Sequence, residues 1–178
     1  VTVGTSEDGE LKWDGRALTG FEVHWGTTIY FHGEFDRRPS ELSSSGKERV
    51  FSFGSQPGTV RFRYAVSLVS AAQAKANVRR EIPGWDLDAV AAAGRAAWNA
   101  KLGKIRVEGG TDDQKTVFYT ALYRCYERMI DITEDGRYCG WDKKIHTADG
   151  VRQYTDDWSW DTFRSAHPLM TILEPEAQ

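Results

Sequence analysis

The sequence predicts an α+β chain in which a piece of antiparallel β-sandwich is followed by a succession of helices. Apolar residues alternate with polar ones through residue 69, the signature of half-buried strands. At Ser70 the repeat changes to the 3.6-residue period of amphipathic helices. Seven tryptophans and 12% aromatics in 178 residues suit either a β-rich core or platforms for sugar rings. With 40% hydrophobic and 28% charged residues, the chain reads as globular rather than disordered. A net charge of -3, with Lys and Arg scattered along the chain, argues against nucleic acid as a partner. No apolar stretch reaches the length of a membrane span.

In the strand-rich part, Phe21, Val23 and Trp25 point one way and Glu22 and His24 the other, and Ile29, Phe31, Gly33 and Phe35 repeat the pattern. Val60, Phe62, Tyr64, Val66 and Leu68 form the clearest strand, with Arg61 and Arg63 facing solvent. Turn signals separate these runs at Asp14-Gly15, across RRPSELSSSGKE (37–48), and from Gly54 to Gly58. His24, His32 and Glu34 sit at strand spacing, which describes a polar face better than the convergent ligands of a metal site. Ser70-x-x-Gln73 is a capping box that opens a helix stopped by Pro83-Gly84. A second helix starts at Asp86 or Asp88 and runs to about Leu102, with Leu87, Val90, Gly94, Trp98, Leu102 and Ile105 on one face. Ile105 to Val107 suits a short strand. Thr111-x-x-Gln114 is a second capping box, and the helix behind it carries Val117, Phe118, Ala121, Leu122, Cys125 and Met129 as its buried stripe.

Residues 131–154 lose helical periodicity and carry Asp-Gly turns at Asp135-Gly136 and Asp149-Gly150, as in a decorated loop. Cys125 and Cys139 lack metal-ligand spacing and are expected to be buried free thiols, a disulfide being the alternative. Both chain ends look like cuts through a longer protein.

The stretch YTDDWSWDTFRSAHP (154–168) is the richest in chemistry. It gathers Asp156, Asp157, Asp161, Trp158, Trp160, Arg164 and His167. A pyranose offers an apolar face to indole and a rim of hydroxyls to carboxylate and guanidinium, so these are the parts of a sugar site. If Asp157 or Ser159 caps a helix, Trp160, Phe163, Arg164 and His167 share one side of it. The same spacing also describes an ordinary helix N-terminus with Asp161 paired to Arg164 on the surface.

Four strings carry a resemblance: VSLVSAAQAKANVRREIPGWDLDAV, AAWNAKLGKIRVEGGTDDQKTVFYTALYR, DGRYCGWDKKIH and YTDDWSWDTFRSAHPL. In order and spacing, from about Val60 to Glu176, they resemble glycoside hydrolase family 92, the calcium-dependent exo-acting α-mannosidases. The resemblance implies an α+β multidomain fragment: the end of an N-terminal β-sandwich (1–69), a helical linker (70–104), and the first helices of an (α/α)6 catalytic toroid (105–178). It implies an inverting mechanism, in which a glutamic acid and an aspartate stand about 6.5–9.5 Å apart to admit water. It also implies Ca2+ on the sugar hydroxyls and a mannose-containing glycan as substrate, α-1,2-linked first among the candidates. The family's acid, base and calcium segments lie beyond Gln178 in its order, so the resemblance implies no catalytic residue and no metal ligand in this stretch. It implies binding instead. Asp161 would accept from sugar hydroxyls, Trp160 would wall the pocket, Arg164 would orient Asp161, and Trp158 would shape a leaving-sugar subsite together with Trp141. Trp141 otherwise belongs to the core of its own loop.

The chain departs from the commoner family pattern at Asp157-Trp158 and at Cys125–Ile130, which leaves the cleaved linkage open. An extracytoplasmic location follows from the family alone. The competing reading is a glycan-binding or interdomain module without chemistry of its own. Taken alone, the chain is expected to be catalytically silent and poorly stable, because cut domains leave sheet edges and helix faces uncovered.

Overall fold

The computed structural model describes residues 2–4, 8–54, 58–127, 129–155 and 159–177. These fall into two compact units, one of residues 1–85 with 134–147 and one of 86–133 with 148–178.

The first unit is built on a four-stranded antiparallel sheet of β2 (Asp8–Trp13), β3 (Ala17–His24), β4 (Thr27–Phe35) and β7 (Phe62–Ser67), in the order β2-β3-β4-β7. Asp14 closes the first turn, its carboxylate accepting from the Arg16 and Ala17 amides, which holds its pKa below the usual range. A second sheet has the order β1-β6-β5, from β1 (Thr2–Val3), β5 (Glu41–Ser45) and β6 (Glu48–Ser52). The stretch read as one long turn signal at 37–48 is therefore a hairpin for much of its length. Alternation fails to reveal β5 because Ser43, Ser44 and Ser45 present no apolar side chain on either face.

Leu11, Leu18, Phe35 and Phe51 form the core, with Trp13, Phe53 and Phe62 packed on it. The Phe35 ring lies 5.0 Å from Phe51 and 4.5 Å from Phe62, so aromatic edges and faces join the sheets. The far end of β7 lacks this cover. Tyr64 is 54% exposed, contrary to the buried face expected there. Glycine is required where the sheet is tightest: a Cβ on Gly20 would run into the Glu10 carbonyl oxygen.

Helix α1 (Ala71–Glu81) packs against β4 and β7 and is capped by the Ser70 hydroxyl, which accepts from the Gln73 amide. The strand face towards it buries His32 and Ser67 with Ala74 and Val78. Arg63 faces this side rather than solvent. It donates to Glu34 at 2.7 Å and to the carbonyls of Ile82 and Pro83, and its guanidinium lies 4.4 Å from the Trp85 ring centre. His32 donates to the other oxygen of Glu34 at 3.1 Å. Burial pushes the Glu34 pKa up, but the bonds from Arg63 and His32 outweigh it and hold the carboxyl below its ordinary value.

The remainder of the first unit comes from far along the chain. β9 (Arg137–Cys139) and β10 (Ile145–Thr147) pair as a hairpin, entered through the turn at Asp135 and Gly136, which both have positive φ. It docks on α1 through polar groups. Asn77 donates to Glu134 at 2.7 Å and to the Val66 carbonyl, Arg80 donates to Asp135 at 2.6 Å, Arg137 donates to Gln73 at 2.8 Å, and Glu134 accepts from the Leu68 amide. Gln73 also donates to Asp135, so its side chain is spent on this network and the reciprocal half of the Ser70 capping box is not formed. Cys139 here, and Cys125 in the other unit, are free and half-buried.

The second unit contains α2 (Leu87–Leu102), capped by Asp86, and α3 (Asp112–Cys125), where Thr111 and Gln114 complete a full capping box. The expected apolar faces are present in sequence but largely uncovered. Leu122 is the one residue of the α3 stripe that is buried among those described, while Val117 is 70% exposed. Ile105–Val107 is irregular rather than a strand; its backbone is tied instead by Tyr119, whose hydroxyl donates to the Ile105 carbonyl.

Candidate substrate-binding site

In the second unit the chain approaches the 154–168 stretch through a small antiparallel pairing. β8 (Ile130–Asp131) bonds β11 (Tyr154–Thr155), and Arg152 donates to Asp131 at 2.7 Å. Asp156, Asp157 and Trp158 lie outside the described residues.

The helix expected from Ser159 onward is two helices. α4 (Ser159–Thr162) is one turn, 163–165 is a turn, and α5 (Ala166–Leu173) restarts after Ser165. Pro168 explains the break. A continuous helix would need an amide at position 168 to bond the carbonyl four residues back, and the ring would clash there. Restarting at Ala166 places Pro168 in the first turn, where neither problem arises. Trp160, Phe163, Arg164 and His167 therefore do not share one helical face.

Trp160 is 70% exposed, and its indole Nε1 donates to Asp161 at 3.1 Å. Asp161 is itself exposed. Arg164 lies over the Phe163 ring at 5.5 Å, and the Asp161–Arg164 ion pair expected from the sequence is not formed. An exposed indole bonded to an exposed carboxylate gives one stacking surface beside one acceptor, a combination that fits the edge and face of a sugar ring.

A pocket of about 240 Å³ opens in the same unit, lined by Cys125, Tyr126, Met129, Arg152, Tyr154 and Glu174 among others. One oxygen of Glu174 receives Lys104 at 2.8 Å, Lys101 at 2.9 Å and Tyr126 at 3.1 Å. Partial burial pushes this carboxyl up, but the three donors more than reverse it, to a pKa of about 2. Tyr126 is pushed up to about 12, by burial and by its bond to that carboxylate. A carboxylate so held is a structural anion and not a proton donor near neutral pH. Nothing in the sequence marks Glu174, which stands some 50 residues from Tyr126 and 70 from the lysines. Among the described residues no three His, Cys, Asp or Glu side chains converge as metal ligands.

The model of the glycosyl hydrolase family 92 catalytic domain matches residues 73–178, more than half of the chain. The chain belongs to glycosyl hydrolase family 92. An uncharacterized secreted glycosidase of Arthroderma benhamiae is 31% identical over 123 residues, which are 67% of this chain and 14% of that protein. A family 92 α-mannosidase of Bacteroides thetaiotaomicron superposes over 94% of this chain and 26% of its own, at 26% identity and a TM-score of 0.82; it has also been solved in complex with mannoimidazole. An inverting family 92 mannosidase of the same organism superposes over 96% of this chain and 27% of its own, at 27% identity and a TM-score of 0.79. The family 92 chain thus spans about a quarter of the length of these solved relatives and a smaller share of the curated one. Its antiparallel sheets and its helices match their fold. No described helix is long and apolar enough to cross a membrane.

Proposed function

We propose that this family 92 chain is part of an inverting, calcium-dependent exo-α-mannosidase that removes terminal α-linked mannose, α-1,2-linked first, from glycans outside the cytoplasm. The domain match over residues 73–178 is the observation that carries this reading. The superposed mannosidases, one of them inverting and one seen with mannoimidazole, support it, and the secreted relative supports the location.

The chain's own part is recognition. Asp161 accepts from hydroxyls of the terminal mannose, the Trp160 indole walls the ring and orients the carboxylate, and Trp158 follows as part of the leaving-sugar side. Arg164, stacked on Phe163, holds the turn that presents Asp161. Calcium, when bound in the whole enzyme, would order the sugar hydroxyls; its ligands would come from outside these 178 residues, as would the acid and the base. The domain assignment proposed with this function is sandwich to residue 69, linker to 104, and catalytic toroid from 105.

The test is anomer-resolved proton NMR of α-mannobiose incubated with the longer protein that contains this chain, with and without a chelator. Release of β-mannose that the chelator abolishes is the expected result. α-Mannose as first product, or release indifferent to the chelator, would overturn the mechanism.

A further inference from the structure

Two tryptophans of the first unit stand almost wholly in solvent: Trp141, 94% exposed, and Trp25, 85% exposed. Both sit at the tips of hairpins, Trp25 between β3 and β4 and Trp141 between β9 and β10. Lys143 bridges the tips. Its ammonium donates to Thr27 at 2.7 Å, two residues from Trp25, and lies 5.3 Å from the centre of the Trp141 ring.

The Trp25 indole is held by its own turn and neighbour. Trp25 takes a left-handed backbone, φ 48, ahead of Gly26 at φ 74. A two-residue turn of this kind favours Asn, Asp or Gly, and a bulky side chain there is uncommon. The His24 ring stacks on the Trp25 indole at 5.1 Å and 18°, which steadies it. On the other hairpin Lys143 also has positive φ, at 64. There His146 donates to Asp142 at 2.9 Å and stacks on Tyr138 at 5.4 Å. The Asp142 carboxylate, held below its usual pKa by the His146 bond and the Lys144 amide, stays an ionised acceptor beside Trp141.

We propose that Trp25 and Trp141 form a stacking platform for pyranose rings of a glycan chain, with Asp142, Lys143 and Thr27 as hydrogen-bonding groups for their hydroxyls. The surroundings favour a sugar over an apolar protein surface. Each indole is flanked by charge or hydroxyl, Trp141 by Lys143 and its neighbour Asp142 and Trp25 by Thr27 two residues on. An apolar partner would have to desolvate Lys143 and Asp142 without pairing them, whereas sugar hydroxyls pair both. The choice of mannose polymers as the ligand rests on the mannosidase reading.

The test is affinity electrophoresis of the longer protein through gels containing mannan, galactan or no polysaccharide, for the parent and for Trp25→Ala, Trp141→Ala and the double variant. Mannan is expected to retard the parent, each single variant to bind about 2- to 10-fold more weakly, and the double variant to run as in plain gel. Trp25→Tyr and Trp141→Tyr, which keep a ring, should restore part of the retardation and exclude misfolding as the cause. Unchanged retardation of the double variant would overturn the platform. So would hydroxyl-radical footprinting that finds both indoles protected in the sugar-free protein, since another part of the molecule would then occupy them. Aryl α-mannoside hydrolysis, run in parallel, separates the two ideas. Trp-dependent retardation without hydrolysis would keep the platform and sink the mannosidase; hydrolysis without Trp-dependent retardation would do the reverse.

Discussion

Asp161 and Glu174 are both carboxylates of the second unit, and their surroundings differ. Asp161 is exposed and bonded to one indole, so removing it disturbs little packing. Asp161→Ala in the longer enzyme is expected to cut kcat/KM by about 10- to 100-fold, the equivalent of a lost charged hydrogen bond, with thermal unfolding unchanged. Near-normal turnover would overturn the proposed role of Asp161. Glu174, with three donors on one oxygen, is the structural one. Its folded pKa of about 2 lies below the ordinary value of 4.5, so its stabilisation is present above about pH 4.5 and is lost as pH falls towards 2. Acid unfolding of the parent should therefore be steeper in that window than that of Glu174→Gln. Parallel curves would show that the cluster contributes nothing. Asp161 is singled out in the sequence by its neighbours Trp160 and Arg164, and its role remains the proposal that Asp161→Ala tests. Glu174 is not singled out, because its partners arrive from α2 and α3 and no short motif records them.

The secondary elements were legible where the local code is strong. The caps at Ser70, Asp86 and Thr111 each start the helix they announce. The code was misread where a second rule competes with periodicity: Pro168 splits the helix after Ser159, and the serines of β5 hide a strand. The docking of the β9–β10 hairpin on α1 was invisible, since Asn77 and Glu134 are 57 residues apart. Asn77→Ala would leave the Val66 carbonyl and the Glu134 carboxylate short of a donor, at a cost of about 1 to 3 kcal/mol. The amides of 137–147 should then lose hydrogen-exchange protection before those of the central sheet; simultaneous loss would mean the hairpin is held by something else. Gly20→Ala should be more severe, because its Cβ meets backbone that cannot yield without parting β2 from β3. A variant that unfolds at the parent's denaturant midpoint would contradict that close approach.

At the scale of the molecule, sequence periodicity identified which helix faces are apolar but not whether anything covers them. Leu87, Val117 and Ile172 stand open, and the solved relatives are about four times longer than the stretch they share with this chain. The 178 residues alone are therefore expected to bind a hydrophobic dye and to elute larger than a monomer, and the longer protein to do neither. A sharp cooperative melt and monomeric elution of the short chain would show that these faces tolerate water.

The hairpin at 134–147 also sets a schedule. Domains synthesised from the N-terminus ordinarily begin to fold as they emerge. Here the Gln73 and Asn77 side chains lack their partners Glu134, Asp135 and Arg137 until the ribosome has delivered the hairpin, by which time α2 and α3 have already been made. The polar side of α1 is thus among the last structures finished, although the sheet beneath it is among the first made, and a pause in translation between residues 86 and 133 would hold that side incomplete.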